Sequence, residues 1–161
     1  REAVDSLKEL NMYRKVQLIV SGGIRTGADV AKAMAMGADA VSIGSAAMIA
    51  LNCNADMYPE DYEKLGTAAG YCHHCHTGKC PVGVATQDPE LEKRLEPELA
   101  GKRVKNYLAT LTLELQTLAR ANGKSDVRNL EPEDLAALTV EAAAMARVPL
   151  AGTNWIPGHE L

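Results

Sequence analysis

Residues 16–45 read VQLIVSGGIRTGADVAKAMAMGADAVSIGS and decide the fold that the sequence predicts. The apolar run at 16–20 predicts a short buried strand, and DAVSI at 39–43 predicts a second one. Between them, a Thr26-x-x-Asp start signal and a closing Gly37 delimit a helix, and a further helix follows the second strand. This alternation predicts an α/β fold whose strands are parallel and joined by right-handed crossovers.

Each predicted strand ends in a glycine turn just before a helix begins. Glycine lets the backbone approach a ligand closely, and the first N–H groups of a helix attract anions. Two such turns, one βα unit apart, predict a shared phosphate site, which (β/α)8 barrels typically build after strands 7 and 8. The candidate residues are Ser21, Gly22, Gly23, Arg25, Gly44 and Ser45. The alternative is that both are ordinary turns in which glycine only relieves backbone strain. No catalytic residue is identified.

The segment 53–88 contains all four cysteines and has no long periodic helix. A stretch of this kind is usually functional or held by something other than an apolar core. The spacing Cys72-x2-Cys75-x4-Cys80, with Cys53 upstream, is compact enough for one inorganic centre. An iron–sulfur cluster is one possibility. Zinc is the other, bound by four thiolates or by three thiolates and one neighbouring imidazole.

The composition excludes several classes of protein. The 161 residues carry a net charge of −4, and this mild acidic excess argues against a nucleic-acid surface. The longest uncharged stretch, residues 40–55, is interrupted by polar residues and is too short to span a membrane. Clustered cysteines in a chain of this length make a disulfide framework the weaker interpretation. We therefore expect neither nucleic-acid nor membrane partners.

The segment after residue 88 is predicted to be helical. Apolar residues at helical spacing from Val104 to Leu118 predict a helix of about five turns that ends near Gly123. The charged run at 90–94 is expected to be a solvated helix face. A further helix is expected to open at Pro132. Its apolar face would consist of Leu135, Leu138, Ala142 and Met145.

Two parts of the sequence carry a family resemblance. Residues 21–45 resemble the phosphate-binding end of flavin-dependent and IMP-dehydrogenase-like barrels. The continuation, SAAMIALNC at 45–53 and CHTGKCPVGVATQDPELEKRL at 75–95, resembles the FMN-binding domain of the glutamate synthase large subunit, especially its short archaeal-type form. The resemblance covers roughly residues 14–120 and is most specific at 75–87.

This resemblance implies an FMN whose phosphate is bound by the two glycine turns, and a [3Fe-4S] cluster. Cys75 and Cys80 match the family's second and third cluster ligands, and Cys53 resembles the first. The family has a short spacer between its first two ligands, whereas 21 residues separate Cys53 from Cys75 here, and Cys72 lies within this insertion. Which three cysteines bind stays open, as does a four-thiolate site for a [4Fe-4S] cluster.

A (β/α)8 barrel needs about 250 residues, so the resemblance implies that the chain is a C-terminal fragment of a longer protein. Residues 1–52 would be the last two βα units of the FMN-binding barrel. Residues 53–88 would be the iron–sulfur loop, and residues 89–161 a helical C-terminal extension. Two strands alone leave sheet edges open, so the segment expressed by itself is expected to be insoluble or molten and inactive.

The reaction implied by the resemblance is the reduction of 2-iminoglutarate to L-glutamate. The substrates would be 2-oxoglutarate and ammonia, supplied free or from glutamine. Ferredoxin or an NADPH-linked subunit would reduce the cluster of a cytoplasmic enzyme that forms an oligomer or multi-subunit complex at full length. One alternative is the glutamate-synthase-like subunit of methylamine–glutamate N-methyltransferase. The other, of a different class, is a non-catalytic zinc-binding interaction module.

Overall fold

The computed structural model describes residues 1–158. The helices are α1 (Glu2–Glu9), α2 (Gly27–Ala35), α3 (Ser45–Ala50), α4 (Pro59–Lys64), α5 (Pro89–Glu92), α6 (Pro97–Ala121) and α7 (Val140–Ala146). The strands are β1 (Ile19–Ser21) and β2 (Ala40–Ser42), and single 3₁₀ turns lie at Cys75–Thr77, Val127–Asn129 and Pro132–Asp134. The chain forms two compact units. The first comprises Arg1–Ile43 together with Leu111 and the residues after it, and the second comprises Gly44–Thr110.

The first unit contains a parallel β–α–β arrangement. β1 pairs in parallel with β2, with Val20 opposite Val41, and α2 lies between them in the chain. A capping box begins α2, because the Thr26 hydroxyl accepts from the Asp29 N–H (3.2 Å) while the Asp29 carboxylate accepts from the Thr26 N–H (3.1 Å). Gly37, at φ +109°, follows the end of the helix. The predicted strand–helix–strand order and its parallel pairing are confirmed.

The strands are shorter and more exposed than the sequence predicts. Each spans three residues, and β1 starts at Ile19 instead of residue 16. Ile19 is 64% exposed, because a two-stranded sheet has too few neighbours to cover both faces. The prediction of a buried strand over 16–20 is therefore wrong for the chain as described. Two parallel strands do not by themselves establish a barrel, which stays a prediction.

Small side chains let α2 approach the C-terminal half of α6. A Cβ added at Gly27 would lie 2.5 Å from the Leu111 carbonyl oxygen, so a larger residue does not fit. The Gly27 N–H also donates to the Glu114 carboxylate at 2.7 Å. Besides Gly27, the buried residues of these two helices within the first unit are Val30, Ala31, Ala33, Ala35, Leu111, Leu115 and Ala119. The alanine-rich, Phe-free composition of the chain thus allows these two helices to pack closely.

The region after Pro132 does not form the helix that the sequence predicts. Pro132–Asp134 is a single 3₁₀ turn, after which the backbone of Ala137 pairs with the segment 149–151. The Ala137 N–H donates to the Pro149 carbonyl, and its own carbonyl accepts from the Ala151 N–H, both at 2.8 Å. This pairing keeps the chain extended until α7 begins.

The predicted apolar face of that helix is consequently broken up. Leu138 and Met145 are 87% and 82% exposed, and the local core is formed by Ala137, Ala143 and Val148. The prediction of one continuous face was wrong, because the long-range backbone pairing competes with helical periodicity.

The helix α6 has 25 residues, or about seven turns. It exceeds the predicted five turns because Pro97 opens it ahead of the apolar pattern. Its end just before Gly123 agrees with the prediction.

Within residues 1–158, no helix is both long enough and apolar enough to cross a membrane. The predicted boundaries after residues 52 and 88 separate segments by their expected function, and they stay a prediction. Residues 159–161 of the predicted helical extension lie outside the described residues.

Candidate functional site

The four cysteines all lie in the second unit and are free thiols. Cys80 is buried, Cys53 and Cys72 are half-buried, and Cys75 is exposed at the start of its 3₁₀ turn. The group therefore has a buried end at Cys80 and an accessible end at Cys75.

The thiol of Cys53 interacts electrostatically with the other three cysteines. Burial raises the pKa of the Cys53 thiol above its ordinary value, and negative charge on Cys75, Cys80 and Cys72 raises it further. Cys72 also packs against the apolar core that contains Cys80. Among the described residues, however, no three His, Cys, Asp or Glu side chains are arranged to hold a single metal ion. The four predicted residues thus belong to one unit, and Cys53 interacts electrostatically with the other three.

Asn54 joins the loop that carries Cys53 to the segment that carries Cys72. Its side-chain oxygen accepts from the Cys72 N–H (2.8 Å), and its amide donates to the Cys72 carbonyl (3.3 Å). The Asn54 main-chain carbonyl accepts from the Gly70 N–H (3.2 Å). The amide nitrogen also lies 3.9 Å from the Cys53 sulfur. The segment 55–71, which is the part of the insertion that precedes Cys72, is thereby closed at its base.

The insertion also supplies part of the core beside the thiols. Its helix α4 carries Tyr62, which is 1% exposed and packs with Cys80 and Val82. The Tyr62 hydroxyl donates to the Ala55 carbonyl at 3.0 Å. Burial raises the pKa of Tyr62 to about 12, so the hydroxyl stays protonated and remains a donor at neutral pH. The extra residues are therefore a packed element of the site.

The CPVG turn that follows Cys80 is fixed by packing. Pro81 and Val82 are buried, and Gly83 has a φ of +77°. A Cβ added at Gly83 would lie only 2.5 Å from the carbonyl oxygen of Leu91 in α5. The left-handed backbone and the lack of space both require glycine here. The CPVG motif, which carries the family resemblance, thus forms a packed turn that fixes the position of Cys80.

Arg94 holds the same turn from another side. Its guanidinium donates to the Pro81 carbonyl (2.8 Å), pairs with the Asp61 carboxylate of α4 (2.7 Å) and lies 4.1 Å from the centre of the Tyr58 ring. The prediction that the whole charged run at 90–94 is a solvated face is therefore wrong for Arg94. Its side chain connects the insertion to the turn that carries the buried cysteine.

The histidines near the cysteines pack on one another. The ring centres of His73 and His74 are 4.5 Å apart, and those of His74 and His76 are 6.1 Å apart. Nδ1 of His73 lies 3.3 Å from the Tyr71 carbonyl oxygen. Within residues 1–158, none of the three joins a group arranged for a metal ion.

In the first unit, the predicted phosphate-binding residues form an open turn after β1. Gly22 and Gly23 have φ values of +103° and +70°, a backbone conformation that favours glycine. A Cβ at either position would meet no atom within 4 Å, and Ser21 and Arg25 are exposed beside the turn. The turn therefore offers accessible backbone to a ligand.

The N-terminus of α2, by contrast, is already hydrogen-bonded. The Asp29 carboxylate accepts from the N–H groups of Arg25 and Thr26, both at 3.1 Å. The Gly27 N–H is bonded to Glu114. The main chain of the glycine turn, unlike that of the first turn of α2, is therefore open to a ligand.

In the second unit, Gly44 and Ser45 begin α3. Both are exposed, and no side chain caps the start of this helix. Cys53 follows within one turn of its end, and the Cys53 N–H donates to the Met48 carbonyl at 3.0 Å. One helix of about 9 Å thus separates Ser45 from the loop of the first thiol.

The reasoning from sequence missed the residues that hold the thiols in place: Asn54, Tyr62, Gly83 and Arg94. Two local signals pointed to some of them. Asn next to a cysteine is a residue type that tolerates a left-handed backbone and bonds to nearby main chain, and Gly83 lies within the CPVG frame. Tyr62 and Arg94 gave no signal, because Tyr62 packs against Cys80 and Arg94 bonds to Asp61 and Pro81, all distant in sequence.

Comparisons with known proteins identify a family. Residues 1–125 match the family described as a conserved region in glutamate synthase. The chain is 63% identical over 158 residues to the glutamate synthase large subunit-like protein of Rhizobium meliloti (strain 1021), an alignment that covers 98% of this chain and 36% of that protein. It is 43% identical over 129 residues to the archaeal glutamate synthase [NADPH] of Methanocaldococcus jannaschii, covering 80% and 22%.

A more distant relative is the ferredoxin-dependent glutamate synthase of Cyanidium caldarium, 37% identical over 134 residues that cover 76% of this chain and 7% of that protein. No solved structure matches. The chain spans 36% or less of the length of these three relatives, so it corresponds to a part of each. The family match nevertheless covers most of the chain and includes all four cysteines and both glycine turns. The chain belongs to the glutamate synthase family.

Proposed function

We propose that the protein containing this chain is a flavin- and iron–sulfur-dependent oxidoreductase that makes L-glutamate. In this reaction, 2-oxoglutarate and ammonia condense to 2-iminoglutarate with loss of water. Two electrons and two protons then reduce the C=N bond to the amine of L-glutamate. The names of the relatives, which are glutamate synthases with NADPH or ferredoxin as the stated donor, support this class of reaction.

The observation that carries the proposal is the set of four free thiols in the second unit. Cys72 packs in the apolar core that contains Cys80, and Asn54, the residue after Cys53, bonds to the main chain of Cys72. Cysteine thiolates are the usual ligands of iron–sulfur clusters. The match of residues 1–125 to the glutamate synthase family favours a cluster over zinc.

The residues that would hold the cluster are Cys53, Cys75 and Cys80, which corresponds to a [3Fe-4S] centre. Cys72 is the additional thiol, and its participation would allow a [4Fe-4S] centre. Tyr62 and the CPVG turn cover the buried end and exclude water from Cys80. When bound, the cluster would pass single electrons and FMN would deliver an electron pair to the substrate carbon.

Ser21, Gly22, Gly23, Arg25, Gly44 and Ser45 are the proposed contacts of the FMN phosphate. The open backbone at Gly22 and Gly23 and the uncapped start of α3 support this assignment. The carboxylates bonded at the start of α2 disfavour a phosphate at that particular helix end.

The electron donor is proposed to be ferredoxin or an NADPH-linked subunit, as the names of the relatives suggest. The four free thiols suit a reducing compartment, which supports a cytoplasmic enzyme. We expect the full-length protein to act as an oligomer or within a multi-subunit complex.

The metal centre can be tested on the full-length purified protein by iron, sulfide and zinc analysis, EPR and visible absorbance, with flavin released on denaturation. We expect iron, sulfide and FMN. Cys75→Ala should lose iron, whereas His76→Ala, a change at the next residue of the same exposed turn, should retain it. Zinc without iron or flavin would overturn the proposal and favour the non-catalytic zinc module.

The reaction is tested with reduced ferredoxin or NADPH and 2-oxoglutarate. Formation of L-glutamate from ammonia or glutamine is the expected result. If methylamine and glutamate gave N-methylglutamate instead, the subunit of methylamine–glutamate N-methyltransferase would be the better assignment.

A further inference from the structure

We propose that Asn54 is a positioning residue of the thiol group: it holds Cys72 beside Cys53 and presents an amide N–H to the Cys53 sulfur. The inference rests on the proposed function, because one of its two consequences is measured on the bound cluster. It concerns a residue that binds no metal itself but decides how two thiols of the group are presented.

The contacts of Asn54 fix the backbone of Cys72 in both position and direction. One side chain accepts from the Cys72 N–H and donates to the Cys72 carbonyl, as a neighbouring strand would do. The Asn54 main-chain carbonyl adds a third bond, from Gly70. Asn54 has a φ of +63°, which asparagine adopts more readily than most residues. The residue type thus suits both the backbone and the pairing.

The pairing of Asn54 with Cys72 also closes the loop formed by the segment 55–71. Bringing the two ends of the segment 55–71 together has an entropic cost, which must be offset at the base of the loop. The side-chain pairing of Asn54 with Cys72 spans 18 positions in sequence and closes that base. Without it, Cys72 would keep its packing near Tyr62 and Cys80 but lose both bonds to its main chain.

The amide of Asn54 also has a direct electrostatic consequence. Its nitrogen lies 3.9 Å from the Cys53 sulfur, and an N–H donor near a ligand sulfur stabilises the more negative, reduced state of a cluster. Groups that contact metal ligands without binding the metal commonly tune affinity and potential in this way. Removing the donor should therefore lower the reduction potential of the cluster.

Two substitutions separate the two roles. Asn54→Gly keeps the left-handed backbone but removes the whole side chain. Asn54→Asp keeps an oxygen for the Cys72 N–H, loses both donated contacts and adds negative charge. Asn52→Gly is the matched control, since Asn52 also has a positive φ (+87°) and lies in the same loop, but its amide contacts the Met57 sulfur at 3.0 Å.

The first measurement is hydrogen exchange of peptides covering residues 70–74 in the full-length purified protein. Asn54→Gly should speed exchange of the Cys72 amide about two- to tenfold, the effect of losing one ordinary hydrogen bond. Asn52→Gly should leave it unchanged. The second measurement is the midpoint potential of the cluster by EPR-monitored titration, which should fall in both Asn54 variants and stay constant in Asn52→Gly.

The proposal is overturned if Asn54→Gly leaves both the exchange rate and the potential at the values of the unsubstituted protein. It is also overturned if Asn52→Gly causes equal changes, because the effect would then be a general softening of the loop. If the unsubstituted protein contains no iron, the proposed function fails and so does the cluster role of Asn54. A failure confined to the Asn54 variants of an iron-containing protein refutes this inference alone.

Discussion

Replacing Gly83 with alanine should loosen the turn that positions Cys80. Gly83 has a φ of +77°, and an added Cβ would lie 2.5 Å from the Leu91 carbonyl oxygen and 3.0 Å from the Leu95 nitrogen. Both neighbours are backbone atoms, so no side-chain rotation can make room. The CPVG turn or the region of α5 would have to move, and Cys80 would move with it.

The expected magnitude follows from two separate costs. A left-handed backbone costs a non-glycine residue roughly 1–2 kcal/mol. Forcing an extra methyl group into a packed contact typically costs about 1–3 kcal/mol. We therefore expect the second unit to lose about 2–5 kcal/mol of stability, which corresponds to an opening equilibrium about 30-fold to about 4,000-fold larger.

Hydrogen exchange of peptides covering residues 80–95 in the full-length protein measures this local opening, and iron retention on gel filtration gives a second readout. Gly66→Ala is the matched control. Gly66 lies in the same unit at φ +69°, but a Cβ there would meet no atom within 4 Å. Only the backbone cost of about 1–2 kcal/mol should apply to it.

The difference between the Gly83 and Gly66 variants isolates the close contact with α5. Equal acceleration of exchange in the two variants would refute the steric argument. A Gly83→Ala protein with unchanged exchange and full iron content would refute the wider idea that this turn positions Cys80.

Three further predictions concern the contacts that support the two units. Gly27→Ala should destabilise the first unit by about 1–3 kcal/mol because its Cβ would collide with α6, whereas Gly101→Ala, with open space around it, should be neutral or stabilising in urea unfolding. Arg94→Lys should lower iron retention although it keeps the charge, since lysine cannot reproduce the planar fork and its stacking contact; a Lys variant with full iron content would contradict this. Hydrogen bonding to Lys32 lowers the pKa of Asp29 from 3.8 to about 2, so the carboxylate stabilises α2 above about pH 4 and this contribution is lost as the pH falls towards 2. An Asp29→Asn variant should therefore lose less stability than the parent between pH 4 and pH 2 in urea titrations, and parallel curves would contradict the assignment.

Local signals were sufficient for the β–α–β part of the first unit. The capping pair Thr26 and Asp29, the closing Gly37 and the two β-rich runs act within a few residues of one another, and the structure has them as expected. The same kind of signal failed after Pro132. There, a backbone pairing between Ala137 and the segment 149–151 overrides the helical spacing of the apolar residues.

For the candidate site, too, some features could be predicted from the sequence and others could not. The identity of the four thiols and of the glycine turns could be derived from residue types and short spacings, and the family could be named from the motif around Cys80. The burial of each thiol could not be derived in this way. Cys80 is buried because α4, far upstream, places Tyr62 against it, and Cys75 is exposed although it lies only five positions away.

The sequence by itself determined which groups are available: four cysteines, two glycine turns, a parallel strand pair and membership of a family. These properties depend on residue type and on neighbours along the chain. Only the tertiary structure decided how those groups are held. Asn54 meets Cys72, Arg94 meets Asp61 and Gly83 meets Leu91 through contacts between segments distant in sequence, and such contacts depend on the packing of the whole unit.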